Sequence, residues 1–353
     1  MTDKTEKPEE GKAPKSWFRE WLDAALFAII AALIIRSFFF EAYRIPTPSM
    51  ENTLMTGDFV AVSKMSYGAR TPMSLGIPFT EIFLPGVQLP WTRLPGFDEV
   101  DRNDIVVFNY PIDDKPIAEK ANYVKRCVGI PGDTLAFINK RLFVNSEAAF
   151  RPEGLVEKYK VMFKSNVRIS RERLENLGGK LPMRSSDTNE LGIMLTEAQA
   201  NEMMSWQEVD TLMLDVLPED AKLYRGRFNF SKAANNTDHF SEFVVPFKGQ
   251  IVELTLQNYP IYKDVIERYE GNSVRIAGPS IFINNEQTTT YEIKKNYYFM
   301  MGDYRDNSED SRFWGFVPDD HIVGSPVLVY YSSQNFVPRF ERIMKWVGNP
   351  ELN

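Results

Sequence analysis

A chain of 353 residues, 43% hydrophobic and 25% charged, is long enough for one or two domains with sizeable cores, and its composition excludes a disordered protein. The formal charge of −7, with no long basic patch interleaved with aromatics, excludes a nucleic-acid footprint. Cys127 is the only cysteine, so an intrachain disulfide is excluded, and cysteine usage does not separate an exported domain from a cytosolic one.

Residues 1–16 are rich in Lys, Glu and Pro and read as a disordered cytoplasmic tail. Residues 17–40 follow, with an unbroken apolar core from Ala24 to Ile35, extended by Trp17, Trp21 and Phe38 to Phe40 as interfacial aromatics. Together they reach the length of about 20 residues that a bilayer span needs. A cleaved signal peptide is the alternative. Its exit would put phenylalanine where a small residue is required, so an uncleaved transmembrane anchor is expected. Lys4, Lys7, Lys12 and Lys15 precede the span, which places the tail in the cytoplasm and the rest of the chain on the outer side.

Just past the anchor stands Arg44-Ile45-Pro46-Thr47-Pro48-Ser49-Met50. Two prolines fix φ and push Ile45 and Thr47 toward extended geometry, so the Ser49 hydroxyl leaves a stiff turn in one direction. That is how a nucleophile is pre-aimed. A surface Pro/Ser turn is the plainer reading. From 59 to 108, short β-type runs alternate with Pro/Gly punctuation, at Phe59 to Val62 and Ile105 to Phe108. The intervening Pro-rich loop carries Ile77, Phe79, Ile82, Phe83, Leu84 and Trp91, which serve either a core or a membrane-grazing surface. In Tyr123 to Asp133, period-two alternation puts Tyr123, Lys125 and Cys127 on one face and Val124, Arg126 and Val128 on the other.

After a hairpin at 137–145 the texture changes. Residues 148–278 hold helix signals, including a capping box at Thr196-Glu197-Ala198-Gln199, and an Asn-rich break at Asn235-Asn236; they read as an inserted mixed α/β domain. The echo between residues 142–147 and 281–286 suggests that the chain leaves one β-ribbon and returns through a similar one. Gly302 to Arg312 is a dense charged loop. Asp306, Ser308 and Asp310 begin like a calcium-binding loop, but Arg312 stands at the turn glycine and Val317 at the closing glutamate, so salt bridges fit better than a metal. The terminal segment 334–353 is amphipathic, either a membrane-surface helix or an ordinary one. His239 and His321 lie far from any nucleophile motif, so the base of a serine hydrolase here is expected not to be histidine.

Pro-Ser-Met at Ser49, Asn103 to Phe108 with Tyr110-Pro111, Tyr123 to Asp133, and Gly302 to Arg312 resemble, in order, the boxes of bacterial type I signal peptidases, the serine/lysine leader peptidases. The likeness covers about 41–147 and 279–331. It implies a mainly β fold, an antiparallel catalytic sheet split into 41–147 and 279–333 around the insert. It implies Ser49 as nucleophile and Lys125 as general base, which is coherent because a buried lysine can stay neutral. It implies that Ser308 orients the Lys125 amine, that Thr47 contributes to the oxyanion hole, and that Asp310 and Arg312 form a structural ion pair. Tyr43, Ile45, Tyr123 and Val124 match positions lining shallow pockets for small residues. Asn103 stands where glycine is usual and Tyr304 where asparagine is common. The resemblance further implies cleavage of signal-peptide-bearing precursors after small-x-small sites, without metal or cofactor. The setting it implies is the bacterial inner membrane, in contact with lipid and near the secretion translocon, with the catalytic domain on the periplasmic side. Two alternatives stand beside it: an anchored β-rich surface binding protein without catalysis, and the self-cleaving repressor group, which shares the dyad but binds DNA and lacks an anchor.

Overall fold

The computed structural model describes residues 17–76, 83–164, 169–178, 190–221 and 236–348. The tail 1–16, Ile77, Phe79, Ile82, Asn235 and the last five residues lie outside them. Helix α1 spans Trp17–Ile34, widens into one π turn at Ile35–Phe39, and passes directly into strand β1, Phe40–Arg44. No residue of α1 is buried, and Phe27 is 75% exposed. A helix apolar on all sides with nothing covering it has the character of a membrane span, and the run Trp17–Phe39 has the length and hydropathy to cross one.

The main sheet is antiparallel. Its strands are β1, β2 (Asp58–Ser63), β3 (Ile105–Asn109), β4 (Asn122–Gly129), β5 (Tyr297–Met301) and β6 (Ile322–Gln334), in the spatial order β1-β2-β6-β3-β4-β5. These runs are rich in Val, Ile and aromatics, which suit a pleated surface. Alternation sorts β3 cleanly: Ile105 and Val107 pack with Ile45, Met50, Leu54, Val60 and Val62 on one face, while Val106 and Phe108 pack with Cys127, Met300 and Trp314 on the other. Lys125 pairs with Val106 and Tyr123 with Phe108, so both stand on the second face as the sequence alternation requires.

The described part of residues 148–278 divides between two cores. A three-stranded antiparallel sheet of Val156–Phe163, Glu190–Thr196 and Val209–Leu214 packs with helices Arg171–Asn176 and Glu197–Met204 around Tyr159, Val161, Ile193, Leu195 and Met203. The helix at Glu197 starts with the expected capping box, Thr196 and Gln199 each satisfying the other's backbone N–H. From Phe240 the chain belongs elsewhere. Strand Phe240–Val244 pairs with Thr134–Ile138, and Phe240 and Phe243 pack with Leu135, Phe137, Phe299 and Phe316. The sequence echo is also reinterpreted: its two copies are hairpins in different sheets that share one turn solution, Asn145-Ser146 and Asn284-Asn285 both lying at positive φ. Such pairs make the type I′ turn that matches strand twist.

The described residues 335–348 form no α-helix. They make a 3-10 turn at Phe340–Arg342 and a short strand at Lys345–Trp346 paired to β6 at Leu328 and Val329. A buried charge cluster decides this course. Asp58, fully buried at the start of β2, accepts from Met55 N at 2.8 Å, Ser332 Oγ at 2.7 Å and Arg342 Nη2 at 2.5 Å, with Arg339 at 3.2 Å. Burial raises the Asp58 pKa, but these donors outweigh it and hold the carboxyl below its ordinary range. Asp58→Ala should strand the buried Arg342 and lower unfolding stability by about 3–5 kcal/mol. Denaturant titration of the detergent-solubilised protein checks this; a loss below about 1 kcal/mol would show that the cluster does not hold the C-terminal segment.

Candidate active site

Ser49 lies in the bend after β1, and two elements fix it. Met50 and Leu54 are fully buried beneath the turn. On either side of it, Ile45 N–H donates to the Asp58 carbonyl at 2.8 Å and Gly57 N–H to the Ile45 carbonyl at 2.9 Å. The Lys125 amine donates to Ser49 Oγ at 2.7 Å, across 76 residues of sequence. Both residues are buried, Ser49 at 7% and Lys125 at 4% exposure. Burial pushes the Lys125 ammonium down to about 8, against the opposing pull of Asp310, Asp303 and Glu309. The Tyr123 ring centre lies 5.5 Å from the amine and stacks on Tyr110.

The loop after β5 closes the site from the other side. Tyr304 N–H donates to the Ser49 carbonyl at 3.1 Å. Gly302 is squeezed between Ser308 and Ser49: a Cβ there would fall 2.3 Å from Ser308 Oγ and 2.5 Å from the Ser49 carbonyl oxygen, so no side chain fits. Asp310 holds Gly302 by accepting its N–H at 3.1 Å, caps the short helix Ser311–Trp314, and pairs with Arg312 at 2.9 Å. The expected Asp310/Arg312 pair is thus formed, wholly out of solvent. Asp303 takes both arms of Arg126, at 2.8 and 2.7 Å, and also accepts from Thr53 Oγ1 at 2.6 Å. Sequence reading missed this clamp, whose only hint was two charged residues on otherwise apolar strand ends.

The remaining expected residues fall as follows. Ser308 is buried next to the site and makes no hydrogen bond to Lys125; its hydroxyl is one of the groups that hold the Asp310 carboxyl below its ordinary range. Thr47 is exposed in the bend and makes no hydrogen bond among the described residues. Ile45 is in the core at 3% exposure, with Tyr43 and Val124 packed against the same cluster. Tyr43 is half-buried on β1 and its hydroxyl donates to Glu41 Oε2 at 2.8 Å. His321 pairs with Asp320 and His239 with the Leu217 carbonyl; neither bonds to Ser49. Asn103 has φ 73°, a conformation that asparagine tolerates in place of glycine, and its carbonyl accepts from Arg126 at 2.7 Å. Among the described residues no group of His, Cys, Asp and Glu could hold a metal.

The inserted sheet reaches this loop directly. Val156 N–H donates to the Asp303 carbonyl at 2.9 Å, Lys158 N–H to Asp306 Oδ2 at 2.8 Å, and Lys140 Nζ to Asp306 Oδ1 at 2.6 Å.

A buried amine is a stability liability with a pH signature. Between about pH 8 and its ordinary value the folded state holds fewer protons at Lys125 than the unfolded state, so stability rises with pH across that window. Lys125→Met should therefore be more stable than the native protein below pH 8, by on the order of 3 kcal/mol, with the gap closing above about pH 10. Thermal unfolding at pH 7 and pH 10 checks this. A gap that does not change with pH would mean that the amine is not desolvated.

A profile of the family described as signal peptidase, peptidase S26, matches residues 18–197 and 246–331. Signal peptidase I from Buchnera aphidicola subsp. Acyrthosiphon pisum is 27% identical over 328 residues, which cover 93% of this chain and 79% of the relative. Signal peptidase I from Pseudomonas fluorescens is 27% identical over 89% of this chain and 74% of its own. That from Aquifex aeolicus is 25% identical over 87% of this chain and 81% of its own. The chain belongs to the signal peptidase family, peptidase S26, and is a hydrolase that removes signal peptides as a serine protease.

Proposed function

We propose that Ser49 is the nucleophile and Lys125 its general base, in a membrane-anchored endopeptidase that cuts after small-x-small sites. The contact of 2.7 Å between a buried amine and a buried hydroxyl carries this reading. Neutral Lys125 takes the proton of Ser49 Oγ as the oxygen attacks the scissile carbonyl, and then returns it to the leaving amine. The Ser49 N–H makes no hydrogen bond among the described residues and is available to the oxyanion, and the Thr47 hydroxyl is the second donor. Ser308 is a positioning residue, whose hydroxyl turns to the amine once substrate displaces the ground-state contact.

Two open strand edges give the substrate its path. Residues 41, 43 and 45 turn their backbone groups to β2, which leaves those of Ala42 and Arg44 outward. On β4, pairing with β5 covers only Arg126 to Gly129, which leaves the outward groups of Asn122 and Val124 unpaired. A precursor strand laid between these edges adds to the sheet by main-chain hydrogen bonds. Tyr43, Ile45 and Val124 on one face and Tyr123 on the other then line the pockets, and packing of Ile45 and Val124 into the core keeps them shallow, suited to alanine-sized residues.

Helix α1 is read as the single span, with the tail in the cytoplasm and the sheet at the outer face of the inner membrane, in contact with lipid and close to the translocon that delivers precursors. The catalytic body comprises 41–147 together with the chain from about 240 to 333, and the three-stranded sheet is the inserted unit.

Ser49→Ala and Lys125→Ala should each abolish cleavage of a precursor in detergent, and the double variant should be no worse than either. For the native protein kcat/KM should fall tenfold per pH unit below about 8 and level off above it, because Lys125 is protonated on the acid side. Turnover surviving in Lys125→Ala at neutral pH would sink the dyad. Thr47→Val should lose about 10²- to 10³-fold in kcat relative to Thr47→Ser with little change in KM. Equal turnover of those two variants would remove Thr47 from the oxyanion hole.

A further inference from the structure

A cavity of about 790 Å³ lies between the open edges of β1 and β4, ending beside Arg36 and Ser37 at the foot of helix α1. Its lining is strongly basic in a chain whose net charge is −7: Arg36, Arg44, Lys64, Arg70, Lys115 and Lys120 against Glu41 and Glu119. Glu41 is already shared by Arg36 at 3.0 Å and Lys64 at 2.8 Å. Arg70 and Lys120 have no carboxylate within ion-pair distance among the described residues. Arg70 bonds the neutral Asn109 Oδ1 at 2.8 Å and the Asp320 carbonyl at 2.9 Å, and Lys120 bonds the Pro111 carbonyl at 3.0 Å. Burial lowers both, Arg70 to about 10. Neither cation is neutralised by a direct ion pair, since the acids around them (Asp320 for both, Glu41 for Arg70, Asp113 and Asp114 for Lys120) act only at longer range, and an entering carboxylate would pair with both.

The cavity lies on the path of the substrate, and its orientation follows from the membrane. The apolar part of a signal peptide sits in the bilayer as α1 does, so the residues preceding the cut must run from the foot of the anchor to Ser49. They pass through this cavity. We propose that it reads the signal peptide several residues before the cut, selecting a carboxylate side chain there through Arg70 and Lys120. The open main-chain edges lining the same cavity favour a peptide occupant over a lipid head group. This inference rests on the proposed cleavage path.

The test uses the full chain in detergent and precursor peptides that differ at one position, with Glu, Gln or Lys placed singly at the fourth to seventh residue before the cut. At one or more of these positions the native protein should cut the Glu precursor roughly three- to tenfold faster in kcat/KM than the Gln precursor, and the Lys precursor more slowly than either. The Glu/Gln ratio should shrink toward one in high salt. It should also shrink in Arg70→Gln and, separately, in Lys120→Gln, a comparison made within each variant and so independent of its overall rate. A ratio near one at all four positions, or one undiminished in both variants, would overturn the proposal. So would activity that ignores the peptide's charge but rises on vesicles containing anionic lipid only while Arg70 and Lys120 are present, which would assign the cavity to a lipid head group. Failure to cut even the Gln precursor would count instead against the cleavage reading itself, and this inference would fall with it.

Discussion

Everything about this site depends on keeping one amine dry. Lys125 stands on a face shared with Val106, Phe108, Tyr123 and Cys127, and those neighbours take the solvent away from its charged form. Three carboxylates nearby work in the opposite direction and would pull the proton back. The structure answers them in part with arginine: Arg126 takes both oxygens of Asp303, and Arg312 those of Asp310. Each guanidinium is a counter-charge that leaves the amine less to gain from protonation. The two ion pairs, distant in sequence from Ser49, are thus as much a part of the site's chemistry as the groups that touch the hydroxyl.

The same loop shows how a second body can enter catalysis without contributing a reacting atom. The three-stranded sheet has its own core, yet its first strand bonds the Asp303 carbonyl and the Asp306 carboxylate. It therefore grips the backbone on either side of Tyr304, the residue whose N–H holds the Ser49 carbonyl. An insertion packed this way is a brace for the loop rather than an appendage.

Period-two alternation made the side of Lys125 legible, because β4 is a regular strand, and the two prolines marked the Ser49 turn. The capping box at Thr196 was equally local and equally plain. What sequence could not show were choices made between distant surfaces. Phe240 and Phe243 have the same character whether they close the insert or return to Phe137, and only the available partner decides. Asp303 looked like one more acid in a charged loop until Arg126 was seen opposite it. The C-terminal segment carried a helical pattern, but Asp58 draws Arg339 and Arg342 inward and leaves Phe340 exposed.

The strand order has a bearing on when this protein can begin to work. β1, which leads into Ser49, is secured through β2, and β2 pairs along its whole length with β6, one of the last strands of the chain. Apart from the Met55 N–H, the donors to the carboxylate that begins β2 all come from residues beyond 330. Ser49 is among the earliest residues to leave the ribosome after helix α1, yet the sheet beneath its turn is not complete until β6 has been made and has paired with β2. A protease built in this way is kept from acting until β6 has folded back onto β2.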